Sequence, residues 1–295
     1  MDSSPSIKTA GIFYFSGTGG TEYAVTCLAG HLTSAGIACQ TVRLEGILQG
    51  DQDCRPDTYD LVGFAYPIHA FNAPRIFFNF LKILPAGNGI KTFLLKVSAD
   101  PFIRGGSTTP VRRPLQQKGY DVFYEGHALM PCNFLLKYDD RLSKQLCNAV
   151  KDKTRHMAAD LVKGTPLLQK NTLWVRFISW AVYALESYGV HYMGKDLQAD
   201  KKCTLCGLCV KQCPVRNITE QDGTVRFGDK CIFCMRCIYA CPVDAISPQW
   251  GRFLKVKGGL NIQKIVRNTN LPGNYITDKT RGYFGRFRKY LLKEN

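Results

Sequence analysis

Eight of the thirteen cysteines in this 295-residue chain fall between Cys203 and Cys241. They form two segments offset by 28 residues, Cys203-Thr-Leu-Cys-Gly-Leu-Cys-Val-Lys-Gln-Cys-Pro-Val-Arg-Asn-Ile218 and Cys231-Ile-Phe-Cys-Met-Arg-Cys-Ile-Tyr-Ala-Cys-Pro-Val-Asp-Ala-Ile246. Each reads C-x2-C-x2-C-x3-C-P-V-x-x-I. Paired C-x2-C thiolates can hold zinc tetrahedrally. A third cysteine at the next x2 step, then a fourth before proline, suits an iron–sulfur cluster instead. Both segments match in full, which weighs against zinc. About 50 residues bury too little surface for a self-sufficient core, so ligand bonds must supply much of this module's stability. Pro214 and Pro242 stop the helical turns, and Val215, Ile218, Val243 and Ile246 form an apolar jacket that keeps water away.

A second chemical signal lies near the start. Ser16-Gly-Thr-Gly-Gly-Thr21 follows an apolar run, Thr9 to Phe15, and precedes a helix-like stretch from Glu22 to about Ala35. Ser16, Thr18 and Thr21 supply hydroxyls. Gly17, Gly19 and Gly20 let the backbone turn tightly, and the helix N-terminus adds positive partial charge. Such a bowl suits a phosphate monoester without help from Lys or Arg. It is neither a Walker A loop nor the G-x-G-x-x-G dinucleotide loop. Taken alone, it could equally be a tight turn.

The elements that must position these residues alternate. Strands are expected at Thr9–Phe15, Cys39–Leu44, Tyr59–Ala65, Lys91–Val97 and Tyr120–Ala128. Helices are expected at Glu22–Ala35, Pro74–Leu84, Val111–Lys118 and Asp139–Lys163. This alternation implies a parallel sheet with right-handed crossovers, an α/β class domain of three layers, α/β/α, with five strands.

Phe15 to Thr21 matches the [Ser/Thr]-x-Thr-Gly-x-Thr phosphate loop of flavodoxins, directly after the first strand, and the domain as a whole resembles a flavodoxin. The resemblance implies FMN, held also by loops after strands three and four. These are Tyr66, Pro67, Ile68, His69, Ala70, Phe71 and Asn72, and then Ser98, Ala99, Asp100, Phe102, Gly105 and Gly106. Tyr66, His69, Phe71 and Phe102 are the candidates to lie against the flavin ring. His69 reads either as a proton donor or as a packed loop residue, and Asp100 and Arg104 either as charge-setting or as exposed.

The cysteine segments resemble the two-cluster bacterial ferredoxin, a small α+β fold. That pattern implies two [4Fe-4S] clusters, the fourth cysteine of each segment serving the other cluster. Cluster one would use Cys203, Cys206, Cys209 and Cys241, and cluster two Cys231, Cys234, Cys237 and Cys213. Together the halves resemble a family of flavodoxin–ferredoxin fusion proteins over residues 9 to about 249. The family implies electron transfer, an oxidoreductase coupling one-electron clusters to one- or two-electron flavin chemistry. It names no substrate.

Ordinary globular composition, 45% hydrophobic and 21% charged, excludes a disordered or collagen-like chain. No signal-peptide pattern opens the chain, so a reducing, cytoplasmic compartment is expected. Cys27, Cys39, Cys54, Cys132 and Cys147 have no ligand spacing and read as mostly buried free thiols, with Cys132 worth locating relative to the site. Leu173 to Val190 is the most apolar run, but Arg176 and Glu186 argue against a membrane span. Trp174, Phe177, Ile178, Ala181 and Leu185 sit at helical spacing, so a buried or interdomain helix is expected.

The divisions are therefore 1–165, flavodoxin-like; 166–200, helical linker; 201–249, two-cluster domain; and 250–295, a basic aromatic extension. The extension carries +9 of the net +16 charge. Both modules are net positive, which points to an acidic redox partner such as a ferredoxin, a flavodoxin or an enzyme. Two other classes stay open. One is a docking module whose flavodoxin-like domain lacks flavin. The other is a redox-sensing binder of nucleic acid or a membrane surface through the tail, whose aromatics could instead wrap onto the preceding domains.

Overall fold

The computed structural model describes residues 7–69, 71–101, 108–170, 192–256 and 258–292, with residues 174, 177, 180, 181, 182, 184 and 189 between them. Ala70, Phe102, Arg104, Gly105, Gly106, Ile178 and Leu185 lie outside the described residues.

Five parallel strands, β1 (Thr9–Tyr14), β2 (Ala38–Arg43), β3 (Leu61–Pro67), β4 (Lys91–Ser98) and β5 (Asp121–Leu129), pair in the order β2-β1-β3-β4-β5. This is the flavodoxin-type order, with its switch point between β1 and β3. The central strands are apolar along both faces, as burial between two helical layers requires. Residues of alternate parity along β1 then separate the core in two. Ile12 and Tyr14 join α1 (Gly20–Ser34) and α5 (Asp140–Lys163) on one side. Phe13 and Phe15 join α2 (Leu44–Leu48), α3 (Arg75–Ile83) and α4 (Thr108–Gln117) on the other.

The second unit carries α6 (Leu208–Gln212) and α7 (Arg236–Ala240), one short helix per cysteine segment. β7 (Ile218–Gln221) and β8 (Thr224–Phe227) form a hairpin, and β6 (Leu197–Ala199) pairs antiparallel with β9 (Ile246–Pro248). The expectation of a helical linker over 166–200 is corrected at both ends. β6 belongs to the sheet of the cysteine module. At the other end, Leu167 pairs with β5: its N–H donates to the Phe123 carbonyl at 3.0 Å, and its carbonyl accepts from Glu125 N–H at 2.7 Å. Fully buried Lys96 anchors this strap through Gln169 at 2.9 Å, while also donating to Thr108 and Glu125.

Between these ends, the described residues are helical, yet Trp174, Phe177 and Trp180 are 72%, 58% and 66% exposed. The expected burial of Trp174 and Phe177 does not occur. Helical spacing announces an apolar face but not what covers it. Among the described residues, no helix is long and apolar enough to cross a membrane.

The basic extension folds back onto the first domain. α8 (Ile262–Arg267) lies against α5, and Lys144 Nζ donates to the carbonyls of Val266 and Asn268 at 2.7 and 3.0 Å. Gln145 brackets Ile276, donating to its carbonyl and accepting from its N–H. Phe287 is fully buried with Leu129, Tyr138, Leu142 and Leu146, and Phe284 packs edge-on against Tyr138. Phe287 is therefore core, with Tyr275, Phe284 and Tyr290 partly buried around it, whereas Trp250 and Phe253 are 83% and 70% exposed. Phe287→Ala should lower the unfolding free energy by about 3–5 kcal/mol, measured by denaturant titration of the full chain. A loss below about 1 kcal/mol would mean that the tail only rests on the surface.

Candidate functional site

The two cysteine quartets each line a pocket. Cys203, Cys206, Cys209 and Cys241 surround one, walled by Val225, Pro242, Val243 and Ile246. Cys213, Cys231, Cys234 and Cys237 surround the other, with Val215, Ile218, Ile232, Phe233 and Ile238. Cys241 thus sits with the first segment and Cys213 with the second. Among the described residues, no three His, Cys, Asp or Glu converge closely enough to hold a single metal ion. Each quartet instead rings a space.

The backbone repeats at the same 28-residue offset. Leu205 and Phe233 have φ of 54° and 48°, Gly207 and Met235 have 69° and 63°, and Arg216 and Asp244 have 47° and 54°. These left-handed residues turn each loop tightly around its pocket. Asn217 N–H donates to Cys213 Sγ and Ala245 N–H to Cys241 Sγ, both at 3.2 Å. Such N–H···S bonds are among the features that set cluster potentials. Burial pushes the Cys231 thiol up to about 12, with neighbouring Cys234 and Cys213 adding to the effect. Cys234 and Cys237 are also raised, again chiefly by burial. Thiols so placed ionise more readily beside a compensating cation, which fits a metal-binding donor set.

The first flavodoxin-like loop runs from the end of β1 to the start of α1. Gly19, at φ 92°, supplies the left-handed turn, and its N–H donates to Ser16 Oγ at 3.2 Å. Thr21 is buried, and Thr18 Oγ1 accepts from Asn133 Nδ2 at 2.8 Å. The first N–H groups of α1 have no intrahelical acceptors. Ser16, Gly17, Thr18 and Gly19 open onto a cleft of about 720 Å³ that also meets Arg43, Gln212, Arg236, Tyr239 and Asn261. The bowl thus lies beside two arginines that were not part of the sequence expectation.

The second loop differs from expectation. Tyr66 is fully buried, its ring centroid 4.6 Å from that of Phe77, because it shares a face of β3 with Val62 and Phe64. It therefore offers no free ring face to a flavin. His69 and Asn72 exchange backbone hydrogen bonds of 2.8 Å around Phe71, whose φ is 63°. Pro67 ends β3, and Ile68 N–H donates to the Val97 carbonyl at 2.7 Å. Burial pushes the His69 imidazole down to about 4, which favours its neutral form near pH 7.

In the third loop, Ser98 Oγ donates to the Asp100 carbonyl and meets His127 Nε2, both at 2.9 Å. The Ala99 carbonyl accepts from Tyr138 Oη at 2.7 Å. Asp100 is buried, its carboxylate accepting from Tyr283 Oη and Arg286, both at 2.9 Å. Of its two readings, the exposed one is excluded. The C-terminal extension clasps this loop.

The two units meet at the first loop. A Cβ on Gly17 would lie 2.5 Å from the carbonyl oxygen of Cys234, so backbone meets backbone there. Arg236 crosses the junction. Its Nη2 donates to the Ser16 carbonyl and to Glu45 Oε1, both at 2.6 Å. Its Nε donates to the Gly17 carbonyl at 3.3 Å and its Nη1 to the Gln212 carbonyl at 3.1 Å. Ile232 and Cys234 join the same apolar cluster as Phe13 and Phe64. Tyr239 Oη donates to the Asn133 carbonyl at 2.8 Å, and Phe134 meets Phe233 edge-on. Cys132 lies in this connecting segment, where its thiol donates to the Phe134 carbonyl.

Sequence reasoning missed Arg236, Glu45 and Asn133. Arg236 did leave a signal, since it replaces Leu208 at the equivalent position of the repeat. Of the other thiols, Cys147 is buried, whereas Cys27, Cys39, Cys54 and Cys132 are only partly so.

The family model described as 4Fe-4S dicluster domain matches residues 195–242. No curated protein matches the chain. Among solved structures, a flavodoxin from the domain Archaea is 13% identical at a TM-score of 0.37, covering 52% of this chain and 99% of its own. The two-electron reduced Megasphaera elsdenii flavodoxin is 17% identical at 0.35, covering 51% and 98%. Rubredoxin oxygen:oxidoreductase from Desulfovibrio gigas is 15% identical at 0.36, covering 53% of this chain and 35% of its own. The flavodoxin-like fold rests on the strand order itself. The chain thus joins a flavodoxin-like α/β domain to a ferredoxin-type 4Fe-4S domain.

Cys234→Ser should lower iron per chain by about half if the two quartets load independently, or unfold the module if they do not. Iron and sulfide analysis reads this directly, and unchanged iron would remove Cys234 from the ligand set.

Proposed function

We propose that this protein is a flavo-iron-sulfur electron-transfer protein with FMN at the first domain and two [4Fe-4S] clusters at the second. The observation that carries the reading is the backbone contact between Gly17 and Cys234, which sets the second quartet against the phosphate loop. When bound, the clusters supply one-electron relay and the flavin one- or two-electron chemistry.

The chain's own residues divide the remaining work. The helix N-terminus and the hydroxyls of Ser16, Thr18 and Thr21 would hold the phosphate. Cys203, Cys206, Cys209 and Cys241 would hold one cluster, and Cys213, Cys231, Cys234 and Cys237 the other. Val215 and Ile218 line the second pocket and Val243 and Ile246 the first, which would shield the sulfurs there from water in part. The two ends differ in access. Cys234 is buried at the junction, whereas Leu205 and Cys206 are exposed beside exposed Lys201 and Lys202. The first quartet is thus the face open to a partner, and those lysines favour an acidic redox protein.

A second reading, a docking module without flavin, draws on the burial of Tyr66, which leaves no free ring face there for a flavin. Anaerobic purification with flavin, iron and sulfide analysis separates the two. One FMN with about eight irons and eight sulfides supports the first reading. A similar iron count with no flavin, even after incubation with FMN, supports the second.

Thr18→Ala combined with Thr21→Ala should weaken FMN retention at least about tenfold, a loss equivalent to ~1.4 kcal/mol, while leaving iron unchanged. Fluorescence titration with FMN reads the first effect. Equal affinity in the double variant would mean that the phosphate lies elsewhere.

A further inference from the structure

Arg236 belongs to one candidate cofactor site by sequence and to the other by contact. It lies between Cys234 and Cys237, so the course of the second quartet fixes its backbone. Its guanidinium reaches out of that segment to the carbonyls of Ser16 and Gly17, to Glu45 and to Gln212, and lies 5.6 Å from the Phe15 ring centroid. Four acceptors on three separate elements therefore share one side chain.

The two loop carbonyls matter most. In a planar trans peptide, the carbonyl and the following N–H point in opposite directions. Holding the Ser16 carbonyl fixes the direction of the Gly17 N–H. Holding the Gly17 carbonyl fixes that of the Thr18 N–H. These are donors of the very loop expected to take the phosphate. Glu45 adds a second constraint. It is buried, its Oε1 takes Arg236 at 2.6 Å and Arg43 at 3.4 Å, and its Oε2 has no partner among the described residues. Without Arg236, a buried carboxylate loses its nearest cation, and the loop beside it cannot keep the same geometry at no cost.

We propose that Arg236 makes the loop's hold on a phosphate-bearing cofactor conditional on assembly of the Cys213, Cys231, Cys234 and Cys237 half, so that the two sites load as one coupled unit. The proposal rests on the FMN reading above. A small module held by metal ligands orders when its metal binds, and ordering it would bring the guanidinium to Ser16 and Gly17. Coupling of this kind is reciprocal, so a filled phosphate loop would also slow the loss of iron from that half.

The test uses the full chain, purified anaerobically with its metal. FMN affinity is measured by flavin fluorescence, and iron loss by release to a chelator with and without FMN. Arg236→Ala should weaken FMN binding at least tenfold with iron content unchanged, and FMN should no longer slow iron release. Arg236→Lys, which keeps the charge but not the fork, should fall between. Should Arg236→Ala lose iron, Glu45→Gln, remote from the cysteines in sequence, should weaken FMN binding at least threefold with iron retained. FMN affinity within twofold of the parent in the iron-replete variant would overturn the coupling, as would FMN-slowed iron release that persists without Arg236.

If the parent chain binds no FMN, the flavin reading falls by itself. Coupling is then read from amide hydrogen exchange at residues 16–22. Faster exchange in iron-replete Arg236→Ala supports the link, and unchanged exchange overturns it.

Discussion

The approach of the Cys234 carbonyl to Gly17 governs how the two halves of this protein relate. Only a residue without a side chain allows it, and it brings the backbone of one ligand segment onto the turn that follows β1. Two polar main chains cannot be pressed together in an apolar setting unless their carbonyls are satisfied. Arg236 meets that need for Ser16 and Gly17, and Glu45 balances its charge. A buried ion pair costs desolvation and contributes little net stability. Its value here is geometric, since it specifies one orientation of the ferredoxin-type unit on the sheet.

The ferredoxin-type unit is symmetric in its backbone and asymmetric in its surroundings. Left-handed residues recur 28 positions apart, as do the N–H···S bonds to Cys213 and Cys241. Those features shape the pockets and are alike in both halves. What differs is the outer wall. Around the second segment it is the α2–α3 face of the sheet, whereas the loop around Cys206 faces solvent. Polarity and water access therefore differ between two pockets of similar construction, and both affect cluster potential.

The positive charge follows a different logic. Most of the excess lies on a tail whose later aromatics, Tyr275, Phe284, Phe287 and Tyr290, pack against the first domain, whereas Trp250 and Phe253 stay exposed. Tyr283 and Arg286 close on Asp100, and Tyr290 Oη accepts the Leu129 N–H at the end of β5. The extension thus secures the carboxyl ends of β4 and β5, the edge of the sheet where α/β folds bind ligands. By contrast, the aromatic stripe of Trp174, Phe177 and Trp180 is exposed on a helix.

Much was legible in the sequence where spacing alone carries the physics. The eight cysteines, the repeat, the Gly/Ser/Thr turn and the alternation of strands and helices are local patterns, and the five-stranded sheet follows from them through handedness and burial. The strap at Leu167, a single bridge, and the three-residue strand β6 were not legible, because pairings so short have no periodicity to detect. Nor was the side of β3 to which Tyr66 belongs, since both faces of a central strand are apolar. The junction of Gly17, Glu45, Asn133 and Arg236 joins positions up to 219 apart in sequence. By itself the sequence determined which groups could bind metal and phosphate, because ligand spacing and turn chemistry are properties of short segments. Only the tertiary structure decided that the second quartet, rather than the first, rests against the Gly/Ser/Thr turn after β1, because that depends on which surfaces exclude water together.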